Sequence, residues 1–99
     1  PAFVYLFIEA MADAAAAEGM PRDLAYEFAS QAVLGSAKMV LETKQNPGVL
    51  KDAVCSPGGT TIEGVCVLER KGMRDAVISA VRASAEKSRE MGKDKKESK

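Results

Sequence analysis

Ninety-nine residues make one small domain and leave no room for a second, since a chain of this size hides only about two-thirds of its unfolded surface. Hydrophobic residues at 46% and charged residues at 28% give the composition of a folded chain and exclude disorder throughout. Fourteen basic and fourteen acidic side chains cancel, so there is no basic field to draw in nucleic acid or an anionic membrane surface.

Histidine is absent and only two cysteines occur, Cys55 and Cys66. The usual zinc ligand sets cannot be assembled from such a chain, so no metal is expected, and a Ser-His or Cys-His nucleophile is impossible. Two cysteines do not make a disulfide scaffold. Free, buried thiols in a reducing compartment are the favoured reading over a Cys55 to Cys66 bridge. The apolar opening from Phe3 to Ile8 has no basic residues before it and is interrupted by Glu9 and Asp13, well short of the ~20 residues of a membrane span. A soluble, cytoplasmic domain is expected.

Glycine and proline cluster at Gly19 with Pro21, at Pro47 with Gly48, at Pro57 with Gly58 and Gly59, at Gly72 and at Gly92. The stretches between are rich in Ala, Leu, Met, Glu and Lys and lack alternating β-branched runs, which predicts an all-α fold of five helices. The first, roughly Ala2 to Glu18, is apolar on most sides. Only Glu9, Asp13 and Glu18 form a polar stripe, so the helix must be enclosed on most sides. The second, roughly Pro21 to Glu42, sets Leu24, Ala25, Phe28, Ala29, Ala32, Val33, Ala37, Val40 and Leu41 on one side, and would span about 30 Å. Gly35-Ser36-Ala37 within it reads either as a place of close helix approach or as a tolerated run of small residues.

A short helix near Pro47 to Val54 follows, then a loop. Next comes Thr60 to Lys71 with Ile62, Val65 and Leu68 inward, then Met73 to Met91 with Met73, Val77, Ile78, Val81 and Ala85 inward. Arg82 and Glu86 stand at ion-pair spacing. Residues 1–92 form the helical domain, and Lys93 to Lys99 read as a charged tail without an apolar anchor and without fixed structure. Long helices with this much apolar surface point to an obligate helical dimer. The alternatives are a monomeric bundle or a stand-alone helical module that binds another protein without enzymatic activity.

One stretch has the chemistry of a site, Cys55-Ser56-Pro57-Gly58-Gly59-Thr60-Thr61-Ile62-Glu63. Paired glycines allow close approach of a ligand, and they precede a helix whose first amides lack partners within the helix. Amides of Gly59, Thr60 and Thr61, with the positive end of the helix dipole behind them, suit a carboxylate or phosphate, and the hydroxyls of Ser56, Thr60 and Thr61 add donors. The competing reading is purely structural: Thr60 with Glu63 three residues on is a capping-box pattern.

The run Leu50-Lys51-Asp52-Ala53-Val54-Cys55-Ser56-Pro57-Gly58-Gly59-Thr60-Thr61-Ile62, with Gly64, Leu68-Glu69 and Gly72, closely resembles the signature of pyrroline-5-carboxylate reductases. The resemblance extends to Pro1-Ala2-Phe3, Phe7-Ile8-Glu9-Ala10, Gly19-Met20-Pro21-Arg22 and Leu34-Gly35-Ser36-Ala37-Lys38-Met39, nearly the whole chain up to the tail. It implies the C-terminal dimerisation domain of an enzyme that reduces 1-pyrroline-5-carboxylate to L-proline with NADPH or NADH. In that family two such domains interleave their helices, dimers can assemble into larger rings, and each active site lies between this domain and a nucleotide-binding domain. By resemblance, Ser56 and the amides around Gly58, Gly59 and Thr60 would bind the substrate carboxylate. Thr61 would place its hydroxyl at the ring nitrogen as hydrogen-bond partner and as part of a proton relay with water. A threonine hydroxyl is a poor acid, however, and the imine can also arrive already protonated. Val54 stands either beside the nicotinamide or as plain loop packing, and Lys51 with Asp52 either orients the loop or, the favoured reading, forms a solvated ion pair.

The sequence departs from the family in one respect: no strand-Gly-x-Gly-x-x-Gly-helix unit occurs, so nothing in it grips a dinucleotide. A truncated or proteolysed piece without reductase activity of its own is the expectation.

Overall fold

The structure is a computed structural model that describes the backbone of residues 1–97 and the side chains of residues 1–93. Five helices follow one another, α1 (Ala2–Ala17), α2 (Arg22–Thr43), α3 (Pro47–Ala53), α4 (Thr60–Arg70) and α5 (Met73–Glu97), and no strand occurs among the described residues. No helix among them is long and apolar enough to cross a membrane. The chain divides into two units, residues 1–52 and residues from 53 onward.

In the first unit, α1 stops where Gly19 turns to a φ of 106°, a value that favours glycine, and the amides of Glu18, Gly19 and Met20 fold back onto carbonyls of the last turn. Pro21 then precedes α2, which ends on Lys44 in the left-handed conformation, with its amide donating to the Val40 carbonyl at 3.0 Å. Asn46 Oδ1 accepts from the Gly48 amide at 2.8 Å and starts α3. The first two helices pack through alanines. Ala12, Ala25 and Ala29 are buried, with Ile8, Met11, Ala15 and Met20 half-buried around them. Asp13 of α1 is ion-paired with Arg22 at the start of α2, and the guanidinium lies 5.7 Å from the Tyr26 ring centroid. The hydrogen bond to Asp13 holds Arg22 still more firmly protonated than usual.

The face expected to point inward on α2 is mostly open. Leu24, Phe28 and Leu41 are exposed, and only Ala25 and Ala29 reach the core. Beside the alanine contact an apolar groove of about 460 Å3 runs between α1 and α2, lined by Phe7, Met11, Ala32, Val33, Ser36, Ala37 and Val40. Gly35 meets nothing within 4 Å of the place a Cβ would occupy, so of its two readings the close helix approach is not made among the described residues.

In the second unit, α4 and α5 are joined through Gly72 at a φ of 80°, whose amide donates to the Glu69 carbonyl at 3.1 Å, and Arg74 is ion-paired with Glu69 at 2.9 Å. Ile62, Val65 and Met73 are half-buried. Leu68, Val77, Ile78, Val81 and Ala85, expected inward, are exposed. The reason is geometric: two helices cover one stripe of each other, and the remaining apolar stripe faces out. Glu86 pairs with Arg89 at 2.7 Å, not with Arg82. Helix α5 runs through Gly92 to Glu97, because the Lys and Glu residues there favour a helix and a single interior glycine is a tolerated cost of about 1 kcal/mol. Five residues of the expected tail, 93–97, are therefore helical, and Ser98 and Lys99 lie outside the described residues.

Candidate functional site

The loop between α3 and α4 lies within the second unit, and the structure explains why its sequence takes this path. Pro57 leads into Gly58 at a φ of 68°, and the Gly59 amide closes the turn by donating to the Ser56 carbonyl at 3.0 Å. Gly59 itself is extended, with φ −83° and ψ 177°, and serves as the N-cap of α4. A Cβ on it would stand 2.7 Å from Ser56 Oγ and 3.2 Å from the Ser56 carbonyl oxygen. The second glycine is thus required by the serine folded over it, while the first is required by its own backbone.

This geometry decides between the two readings of Thr60. With Gly59 as N-cap, Thr60 is the first helical residue, and no side chain hydrogen-bonds to the first turn. The capping box does not form, since a threonine inside the helix cannot fold its hydroxyl back as an N-cap does. Glu63 instead donates its amide to the Gly59 carbonyl at 3.4 Å, the first turn of the helical ladder. The amides of Thr60, Thr61 and Ile62 are the orphan donors of the helix start. Gly59 is not one of them, its hydrogen being spent on the turn.

The structure therefore brings together Ser56, Gly58, Gly59, Thr60 and Thr61 on one turn at the start of α4. Gly59 is half-buried, and the side chains of Ser56, Thr60 and Thr61 are open to solvent. The Ile62 amide joins this set. The sequence reading leaves it out because it takes Thr60 as the cap, and the Ser56 to Gly59 turn that moves the cap to Gly59 has no signal in residue preferences. Val54 is exposed at the near end of the loop, and Lys51 with Asp52 forms a solvated ion pair at 3.4 Å. Cys55 and Cys66 are free, the first half-buried and the second exposed, so neither is the buried thiol expected. An uncapped helix start with a glycine-widened approach can hold one small anion, and the adjacent hydroxyls can orient a polar atom next to it.

An all-helical chain with outward apolar faces has the build of a domain that packs against another apolar surface. Residues 1–91 match the family described as pyrroline-5-carboxylate reductase dimerisation, and the chain belongs to that family. Pyrroline-5-carboxylate reductase of Escherichia coli is 67% identical over 93 residues, which are 94% of this chain and 35% of that protein. The enzyme of the same name from Synechocystis is 53% identical over 93 residues, again 94% of this chain and 35% of the relative. Among solved structures, pyrroline carboxylate reductase of Plasmodium falciparum with NADP bound superposes with a TM-score of 0.89 at 42% identity, covering 93% of this chain and 35% of that one. A pyrroline-5-carboxylate reductase from Coxiella burnetii gives a TM-score of 0.87 at 39% identity over 91% of this chain and 33% of the other. The chain thus spans about a third of the length of the relatives it matches.

Proposed function

We propose that this chain is the part of a pyrroline-5-carboxylate reductase that pairs two subunits and presents the substrate to the reducing cofactor. The observation that carries the reading is the uncapped start of α4 behind Gly58 and Gly59, in a chain that matches the dimerisation family almost end to end.

Reduction of a cyclic imine to a secondary amine adds a hydride to the ring carbon and a proton to nitrogen. Two tasks fall to this chain. The amides of Thr60, Thr61 and Ile62, with the Ser56 hydroxyl, would hold the carboxylate of 1-pyrroline-5-carboxylate against the positive helix end. With the carboxylate fixed, the Thr61 hydroxyl is the group to meet the ring nitrogen, ordering it and the water that exchanges its proton. Gly59 contributes room, since any side chain there would displace Ser56. Val54 would flank the nicotinamide.

The described residues do not fit a dinucleotide by themselves, because no strand exists to begin a strand-turn-helix phosphate grip. NADPH or NADH would be held mainly outside this chain. Pairing of two copies through α1, α2 and α5, with helices interleaved, would cover the outward apolar stripes.

Titration with L-proline, which keeps the ring and the carboxylate, tests the site. The expected result is a set of saturable amide shifts centred on Thr60, Thr61 and Ile62. Shifts absent there at saturating proline would reject the carboxylate assignment.

A further inference from the structure

We propose that Glu63 sets the charge selectivity of the site: its carboxylate, on the first turn of α4, opposes a net anion there and favours a ring that carries both a carboxylate and a protonated nitrogen. The inference deepens the carboxylate-site reading and rests on it.

Three observations carry it. From Ala53 to Leu68 the chain holds a single charged residue, and it is Glu63. Sites that grip a carboxylate strongly do so with Arg or Lys, whereas this loop and helix start bring amides, hydroxyls and one negative charge. Glu63 is exposed, pairs with no cation among the described residues, and does not cap the helix start. Its charge is therefore not neutralised by a neighbour there. The helix also holds that charge close. The Glu63 amide donates to the Gly59 carbonyl at 3.4 Å, so its Cα lies one turn from the helix start, about 5–6 Å along the axis. Helical side chains lean back toward the N-terminus, which carries Glu63 toward the turn that holds Thr60. A ligand at the Thr60, Thr61 and Ile62 amides then lies inside the ~10 Å screening length of 0.1 M salt.

The helix end supplies roughly half a positive charge and Glu63 a whole negative one. A net anion is drawn by the first and repelled by the second. In a zwitterion the protonated nitrogen is attracted to Glu63 while the carboxylate is repelled, and the two effects largely cancel. For 1-pyrroline-5-carboxylate the zwitterion is the iminium form. Its ring carbon accepts the hydride of a reduced nicotinamide while the carbon–nitrogen π pair moves onto nitrogen, which gives the secondary amine with its proton already in place. Favouring that form removes the need for an acid, a part the Thr61 hydroxyl would fill poorly.

The test compares two ligands of one shape on the full chain and on Glu63→Gln. L-Proline is a zwitterion; tetrahydrofuran-2-carboxylate of the same hand has oxygen in place of nitrogen and is a net anion. Amide shifts at Thr60, Thr61 and Ile62 read each dissociation constant. At about 0.05 M salt, Glu63→Gln is expected to tighten the anion about two- to fivefold, the effect of one charge at a helix start, and to change proline by less than about twofold. Glu63→Asp keeps the charge and should keep the parent's ratio of the two constants. In the parent alone, raising salt to about 1 M should tighten the anion relative to proline, since screening removes the repulsion. Equal shifts in both constants on Glu63→Gln would show a merely structural role and overturn the proposal, as would a salt-independent ratio in the parent. If both ligands bind and Glu63→Gln leaves their ratio unmoved, the carboxylate site stands and the charge selectivity alone falls. If neither ligand shifts those amides at saturation, the site is rejected and the selectivity with it.

Discussion

Ala37 offers a sharp perturbation because its surroundings would change completely if, as proposed, a second copy fills the groove it lines. It lines the α1/α2 groove with Val33, Ser36 and Val40, and in the single protomer it is exposed. If the groove stays in water, Ala37→Asp costs only the helix propensity difference, about 0.6 kcal/mol. If a partner fills it, each dimer must bury two carboxylates too short to reach solvent, with no cation lining the groove to pair with them. A buried, unpaired ion costs several kcal/mol; at about 3 kcal/mol each the pair loses about 6 kcal/mol, and the dissociation constant rises about 10^4-fold. Sedimentation equilibrium over a concentration range reads this directly. A variant dimerising within about threefold of the parent would refute the claim that this groove is covered, because that change is under 1 kcal/mol.

Other substitutions probe single contacts. Ala12→Leu places three extra carbons at a fully buried position facing α2, and overpacking should destabilise by about 1–3 kcal/mol in denaturant unfolding at fixed protein concentration. Gly58→Ala imposes a Cβ on a φ of 68° and should lose about 1 kcal/mol, although nothing lies within 4 Å to clash with it. Gly59→Ala should instead displace the Ser56 side chain and weaken proline binding more than stability, seen by paired calorimetric and unfolding measurements. With this chain replacing the matching segment of the Escherichia coli reductase, Thr61→Ala should lower turnover of pyrroline-5-carboxylate about 10- to 100-fold, the value of one hydrogen bond to a charged group. Unchanged turnover would remove Thr61 from the reaction.

The helix boundaries were legible because glycine and proline do their work locally. Gly19 and Gly72 take left-handed conformations that other residues resist, and Pro21 and Pro47 sit where a missing amide does no harm. Gly92 misled for the complementary reason. A glycine ends a helix only when the following chain has somewhere to turn, and Lys93 to Glu97 are content to continue the helix. The start of α4 was legible as an anion site but not in detail: choosing between Gly59 and Thr60 as N-cap depends on the Ser56 to Gly59 turn, which residue preferences do not encode. The least legible feature was the destination of each apolar stripe. Periodicity marks Phe28, Val77 and Val81 as needing cover, yet it does not say whether the cover comes from the same chain, and here it does not.

The mass of the purified chain in solution tests the central claim most directly. At micromolar concentration, sedimentation equilibrium should give about 21 kDa, twice the 10.5 kDa of one chain, with full helicity. A fully helical, cooperatively unfolding species of 10.5 kDa at that concentration would contradict it.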